Sequence, residues 1–357
     1  MSGMSVDPPQ KKNIGFFVRH FTERGTEVAI YDYAKYNEEI LGNKSYIICF
    51  TEEGQRNIGF PPQRYSYEKF KQRFQVIEIP SLPDMADVIN KYNLTYFYTL
   101  TNGQGDDIYE FNNRDIWGTS ISIKHCVFYT GYPQGDFYIS ISNELNKKFG
   151  TDIPVIPHIV DLPKTTEDMR AELQIPEDAI VYGRHGGMQE FNIEYVHEAI
   201  REYIDADDNK NVYFLFLNTA KFYDHSRDHP RIIHLDMNLD LHYKAKFINT
   251  CNAMIHAKNQ GETFGLSVGE FAIHNKPIIT CECGDLEHLY YLREKAIVYK
   301  SKEELLDIFS NIRDILGSRT DWTAYTECSP ENVMSLFQQY IFSGGTHGSP
   351  YDPLLSS

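Results

Sequence analysis

The sequence predicts an α/β protein built from two doubly wound, Rossmann-like domains that face each other across a cleft. Three observations lead there. Short runs of β-branched and aromatic residues alternate with helix-period segments along most of the chain, the pattern of parallel sheets assembled from βαβ units. These runs are apolar on both sides, as strands covered on both faces must be. A proline-rich stretch, IPVIPHIVDLPKTTED (153–168), interrupts the rhythm near the middle, and 357 residues at 41% hydrophobic suffice for two cores.

In chain order, the first half offers NIGFFV (13–18), SYIICF (45–50), QVIEIP (75–80), LTYFYTL (94–100), SISIKHCVF (120–128) and DFYISIS (136–142) as strands. The second half offers AIVYGR (179–184), VYFLFLN (212–218), RIIHL (231–235), AMIHA (253–257), PIITC (277–281) and AIVYK (296–300). SKEELLDIFSNIRDIL (301–316) and PENVMSLFQQYIF (330–342) then read as helices, and GGTHGSPYDPLLSS after Ser343 as a flexible tail rich in Gly, Pro and Ser. The expected division is 13–160, 161–325, a helix at 326–343 crossing back towards the first domain, and the tail at 344–357. No internal repeat with matched residues is found.

The formal charge of −16 and the pI near 5.2 argue against nucleic acid as a partner, since phosphate backbones need a clustered basic face. MSGMSVDPPQKKN has no apolar signal region, and the longest dense apolar run, Val212 to Leu217, is far too short to span a bilayer. Cys49, Cys126, Cys251, Cys281, Cys283 and Cys328 form no C-x-x-C pair, and most sit in apolar strand-like runs. The expectation is a cytoplasmic protein with reduced, buried cysteines; contact with a membrane surface is not indicated.

The stretch with chemical content is GETFGLSVGEFAIHNKPIIT (261–280). Asn275-Lys276-Pro277 stops a helix, because proline lacks the donor a helix needs and favours the extended run that follows. The unit is therefore loop, helix, strand, with the helix beginning around Phe264 or Gly265. Open α/β sheets bind ligands beyond the carboxyl ends of their strands, and Glu262 follows the strand AMIHA. The free N–H groups and positive dipole end of the helix suit a phosphate, and Gly261 and Gly265 let a ligand come close.

Glu270 lies eight positions after Glu262, roughly 12 Å at about 1.5 Å per helical residue. That is about the distance from a sugar ring to a ribose across a diphosphate, so one nucleotide-sugar would use both carboxylates and the helix end between them. For glutamates without context the ordinary account is a cap at 262 and a solvated helix residue at 270. The flanking T-F-G-L and N-K-P-I-I argue against it here.

GETFGLSVGEFAIHNKPII resembles the E-x7-E region of retaining glycosyltransferases of the GT-B architecture, specifically glycosyltransferase family 4 (group 1). Other parts follow in that family's order from about Asn13 to Phe342: FTERGTEVAIYDYA (21–34) is similar to its first loop and helix, IPHIVDLP to its N-G-V-D segment, and VYGRHGGMQEF to its G-R-L-x-x-x-K-G motif. The resemblance implies a C-terminal donor domain and an N-terminal acceptor-side domain. It gives Glu262 the donor sugar, Phe264, Gly265 and Leu266 the backbone contacts, Glu270 the ribose, Arg184 the diphosphate leaving group, Gly25 the first loop, and His125 a strand end facing the donor sugar.

Two departures stand out. The family's lysine five residues after the arginine is Gln189, so one cation is missing where negative charge develops. Arginine alone can bind phosphate bidentately, and Lys258, four residues before Glu262, is a candidate replacement, although lysines are ordinarily solvated. The first loop has a single Gly25 where relatives often have two or three. His125 in an apolar strand also fits a satisfied core residue.

The implied activity is transfer of a hexose-type sugar from a UDP- or GDP-linked donor to a hydroxyl on a glycan, lipid or protein-linked glycan, with the anomeric configuration retained. No cofactor and no metal are expected, since the thirteen histidines show no metal spacing: His225 and His229 fall in a polar loop. A nicotinamide-dependent dehydrogenase is disfavoured, because no G-x-G-x-x-G follows the first strand. A nucleotide-sugar epimerase of the same architecture, or a catalytically silent nucleotide-sugar binding protein, stays open.

Overall fold

The computed structural model describes residues 11–22, 25–59, 63–104, 113–206, 211–222 and 229–343. The chain divides into two units, Val160–Ser329 and the remainder, with Pro330 onward belonging to the first. The sequence expectations at 1–10, at 23–24 of the first loop, at His225 and after Ser343 lie outside the described residues.

The first unit holds a six-stranded parallel sheet of β1 (Asn13–Val18), β2 (Lys44–Phe50), β3 (Gln75–Ile79), β4 (Tyr96–Thr101), β5 (Ile121–Cys126) and β6 (Phe137–Ser140), in the order β3-β2-β1-β4-β5-β6. Alternate residues point to opposite faces of a strand, and both faces here are apolar. Ile14, Phe16, Val18, Ile47, Tyr98 and Ile123 join one buried cluster, whereas Phe17, Ile48, Phe50, Ile79 and Phe97 join another. Tyr33 and Ala34 of the helix Gly25–Glu39 cover the first cluster, together with Val333, Met334 and Phe337 of the helix Pro330–Phe337. The C-terminal helix thus packs on the first sheet although 170 residues of the second unit, Val160–Ser329, precede it.

The second unit repeats the scheme. Its strands are β7 (Ile180–His185), β8 (Val212–Leu217), β9 (Ile232–Leu235), β10 (Ala253–Ile255), β12 (Ile278–Cys281) and β14 (Ala296–Tyr299), ordered β14-β12-β10-β7-β8-β9, with a separate two-stranded pairing of β11 (Gly261–Glu262) and β13 (Asp285–Leu286). The helices Glu194–Asp205 and Lys302–Ser310 close one face through Val196, Ile200, Tyr203, Leu305 and Phe309. Both sheets have the doubly wound order in which the chain starts centrally and winds outward in both directions.

Local chemistry shifted some ends. The run 301–316 is two helices, Lys302–Ser310 and Ile312–Gly317, parted at Asn311, whose amide group bonds back to Asp307. The 330–342 run is α-helical only to Phe337, and Gln338–Phe342 continues as a π-helical turn.

Candidate active site

The β7 strand ends in Arg184-His185, beside β10, where the winding of the second sheet changes direction. Such a switch point leaves a crevice at the strand ends. Arg184 is 4% exposed. Its Nη1 donates to Thr219 Oγ1 (2.6 Å) and more weakly to the Asn218 carbonyl (3.4 Å), and Nη2 donates to the Gly187 carbonyl (2.8 Å). Among the described residues these hydrogen-bond partners are all neutral. Burial therefore pulls its pKa down to about 10, against the opposing fields of Glu190 and Glu262. A buried guanidinium in that state is a standing attractor for an anion.

Glu262 sits on β11, which β13 holds in register (Gly261 with Asp285, Glu262 with Leu286). Its Oε1 is 3.2 Å from His256 Nε2 and its Oε2 is 3.2 Å from Lys258 Nζ. Lys258 is not solvated: its side chain is 18% exposed, and it also lies 3.1 Å from Glu190 Oε1. Burial alone would raise the Glu262 carboxyl, but the His256 hydrogen bond, the Lys258 charge and the nearby His256 and His288 together bring it down to about 2. Behind it, His256 Nδ1 meets Thr280 Oγ1 at 2.8 Å, and Thr280 Oγ1 meets His288 Nε2 at 3.0 Å.

The helix runs Leu266–Ile273, later and shorter than the sequence spacing predicts. Gly265 starts it at φ +84°, a left-handed conformation natural only to glycine, and Asn275 ends it at φ +57° with its side chain bound to Trp322 N–H and the Thr320 carbonyl. Phe264 is buried and its carbonyl accepts the Tyr325 hydroxyl at 2.7 Å. Leu266 and Ser267 in the first turn are partly exposed. A Cβ on Gly186 would lie 3.0 Å from Arg184 Nη2 and 3.8 Å from Ser267 Oγ, so the guanidinium and the helix start border the same small space.

Glu270, 3% exposed, is clamped: Lys244 Nζ donates to Oε1 at 2.8 Å and His185 Nε2 lies 3.0 Å from Oε2. Burial raises its carboxyl, and Lys244 and His185 outweigh that to hold it at about 2. A carboxylate has about four acceptor positions, and Lys244 and His185 face two of them.

The structure thus gathers Arg184, Lys258, Glu262, Phe264, Gly265, Leu266 and Glu270 in one unit, and adds Glu190, His185, Lys244, His256, Thr280 and His288. Of these, His185 had a signal in its position directly after the arginine at a strand end. Lys244 had none, being brought in from the helix Leu241–Thr250, and Thr280, the last residue of the 261–280 stretch, had none beyond its place at a strand end. Gln189 is exposed.

The two first-unit candidates stand differently. His125 on β5 is fully buried, its Nδ1 2.8 Å from the Tyr98 hydroxyl and its ring edge-on to Tyr33; burial pushes its pKa down to about 3, with His158 adding to the effect. Gly25 is the exposed first residue of the helix Gly25–Glu39, whose first turn already carries Glu27 paired with His20 at 2.6 Å. Among the described residues no group of three or more His, Cys, Asp or Glu is arranged to hold a metal ion, no helix is long and apolar enough to cross a membrane, and all six cysteines are free.

No protein-family model matches the chain, and no curated protein sequence matches it. Solved structures do. The chain is similar to Anabaena HepE in complex with UDP and glucose (TM-score 0.65, 14% identity, 93% of this chain and 99% of that one). It is also similar to a glycosyltransferase from Rickettsia africae (TM-score 0.62, 16% identity, 91% and 92%) and to a putative UDP-N-acetylglucosamine 2-epimerase from Listeria monocytogenes (TM-score 0.56, 10% identity, 93% and 97%). At these identities the likeness is one of fold: two Rossmann-like domains, as in GT-B glycosyltransferases.

Proposed function

We propose that the protein is a glycosyltransferase that moves a hexose-type sugar from a UDP- or GDP-linked donor to a hydroxyl of a glycan, lipid or protein-linked glycan, with retention and without a metal ion. The observation that carries this reading is the buried Arg184, whose hydrogen-bond partners among the described residues are neutral oxygens, beside the start of the helix Leu266–Ile273. Such a cation and helix end together suit a diphosphate. Lys258 stands in for the lysine missing at Gln189. The fold shared with HepE, which was solved with UDP and glucose, supports the donor class.

In this reading Glu262, ionised and oriented, accepts hydrogen bonds from donor-sugar hydroxyls, and Glu270 accepts them from the ribose. The bond from the anomeric carbon to the β-phosphate oxygen breaks and its electron pair leaves with the nucleoside diphosphate. The acceptor oxygen bonds to the anomeric carbon from the same face, and its proton passes to the departing phosphate. Arg184, Lys258 and the helix N–H groups stabilise the charge that develops there.

Thermal unfolding with UDP, GDP, ADP, NAD and their sugar conjugates tests the donor. A ligand at a hundred times its Kd stabilises the folded state by about 2.7 kcal/mol. A shift with one nucleoside diphosphate that is lost in Glu270→Ala supports the reading, and no shift with any nucleoside diphosphate overturns it. The epimerase of the same fold is separated by its product: a changed sugar without an acceptor. Slow donor hydrolysis separates a transferase from a silent binder, and the anomeric signal of the product decides retention.

A further inference from the structure

Lys258 lies between two carboxylates, Glu262 Oε2 at 3.2 Å and Glu190 Oε1 at 3.1 Å, and the two are held very differently. Glu262 is 13% exposed and fixed by His256. Glu190 is 46% exposed; its other oxygen accepts the Gly187 N–H at 3.3 Å, and the carbonyl of that same glycine accepts Arg184 Nη2. A Cβ on Gly187 would stand 2.7 Å from the Glu190 carboxyl carbon and Oε2, so the carboxylate packs directly on this glycine and would have to shift for any larger residue. Glu190 therefore touches one site cation directly and reaches the other through a single residue.

We propose that Glu190 is an internal counter-ion that occupies the diphosphate subsite until the donor arrives, an inference that rests on the donor reading above. A diphosphate between Arg184 and Lys258 brings at least two negative charges against both carboxylates. Glu262 has no room to retreat, whereas Glu190 borders solvent. Donor binding displaces Glu190 from Lys258, and its return after transfer helps expel the nucleoside diphosphate product. This contact weakens every diphosphate ligand, and the base or sugar attached makes no difference to it.

Calorimetric titration of the full chain with UDP, GDP and inorganic pyrophosphate tests this, comparing the parent with Glu190→Gln. Glutamine keeps the volume and one acceptor, which can serve Gly187 N–H, and it removes the charge together with the oxygen that faces Lys258. Glu202→Gln, which neutralises a carboxylate paired with Lys302, controls for the overall charge of −16. The expected result is binding tighter by about threefold or more in Glu190→Gln for pyrophosphate and for the nucleotide that binds, with Glu202→Gln unchanged. If the parent binds a nucleoside diphosphate and Glu190→Gln binds it no better, or Glu202→Gln gains as much, the counter-ion role is overturned while the donor reading stands. If neither the parent nor Glu190→Gln binds any diphosphate, the donor reading itself fails.

Discussion

His256 Nε2 lies 3.2 Å from Glu262 Oε1, and that contact heads a four-residue chain that continues through Thr280 to His288. Glu262, with its pKa near 2, can only accept, so His256 Nε2 is the donor of that contact. Thr280 Oγ1 lies between His256 Nδ1 and His288 Nε2, at 2.8 and 3.0 Å, and its hydroxyl has the Cys281 carbonyl as a further acceptor at 3.5 Å. Burial pushes His288 down to about 3, so it stays neutral. The chain backs Glu262 from one side and presents its carboxylate in one orientation.

Thr280→Val keeps the side-chain volume and removes the hydroxyl that meets His256 Nδ1, so the ring loses its support behind Glu262. Turnover should fall about tenfold, the scale of one lost neutral hydrogen bond in an ordered network. Thr280→Ser should restore most of it. Equal activity of the valine and serine variants, measured by product formation, would separate Thr280 from the positioning of Glu262.

Acid should destabilise the protein in two stages. His125 and His288 are each held near 3 and His158 near 4 by burial, far below their ordinary 6.5. The unfolded chain protonates them first, so stability is lost as pH falls below about 6.5, by about 1 kcal/mol per histidine between pH 7 and 5.5. Glu262 and Glu270 have depressed pKa values near 2 against an ordinary 4.5. Their contribution is complete above 4.5 and disappears as pH falls towards 2. Denaturation midpoints taken from pH 7 to 3 should show both; Glu270→Gln should flatten the lower stage and also alter the upper one, because Glu270 opposes the lowering of the His185 pKa by burial.

Arg184→Lys keeps a charge but cannot reach Thr219 Oγ1 and the Gly187 carbonyl with one planar fork. If Arg184 stabilises the leaving diphosphate, kcat should drop about a hundredfold or more while donor affinity changes less. Equal losses in kcat and affinity would show that the arginine serves binding alone.

How much of this could be read from residues alone depends on the range of the interaction. Each of the twelve apolar runs became a strand of the two main sheets, because two-sided apolarity is a local signature of a covered parallel sheet. The E-x7-E helix was legible through its Asn-Lys-Pro stop, although Gly265 and Asn275 trimmed both ends by taking left-handed conformations. The β11–β13 pairing was not, since two residues per strand carry no period. Nor were the partners of the two glutamates: Lys244 and His185 meet Glu270 from 26 and 85 positions away, a matter of topology. Lys258 was the instructive case, a lysine that its sequence neighbours leave solvated and that Glu190 and Glu262 draw in.

Gly265→Ala tests the joint between the two glutamates. At φ +84° an L-residue is strained by about 1–2 kcal/mol. The new methyl would stand 3.1 Å from the Tyr325 hydroxyl, 3.2 Å from His288 Cβ and 3.3 Å from Glu262 Cβ. Each neighbour is already committed: Tyr325 to the Phe264 carbonyl, His288 to Thr280, and Glu262 to His256 and Lys258. None can yield without disturbing the carboxylate or the start of the helix. Urea denaturation should therefore register a loss of about 2 kcal/mol or more, and nucleotide-sugar affinity should fall further than that of Tyr325→Phe, which loses only the hydroxyl bond at about 1–2 kcal/mol. A Gly265→Ala protein with parental stability would mean that the turn can relax without its left-handed residue, and the helix start would then not be set by this glycine.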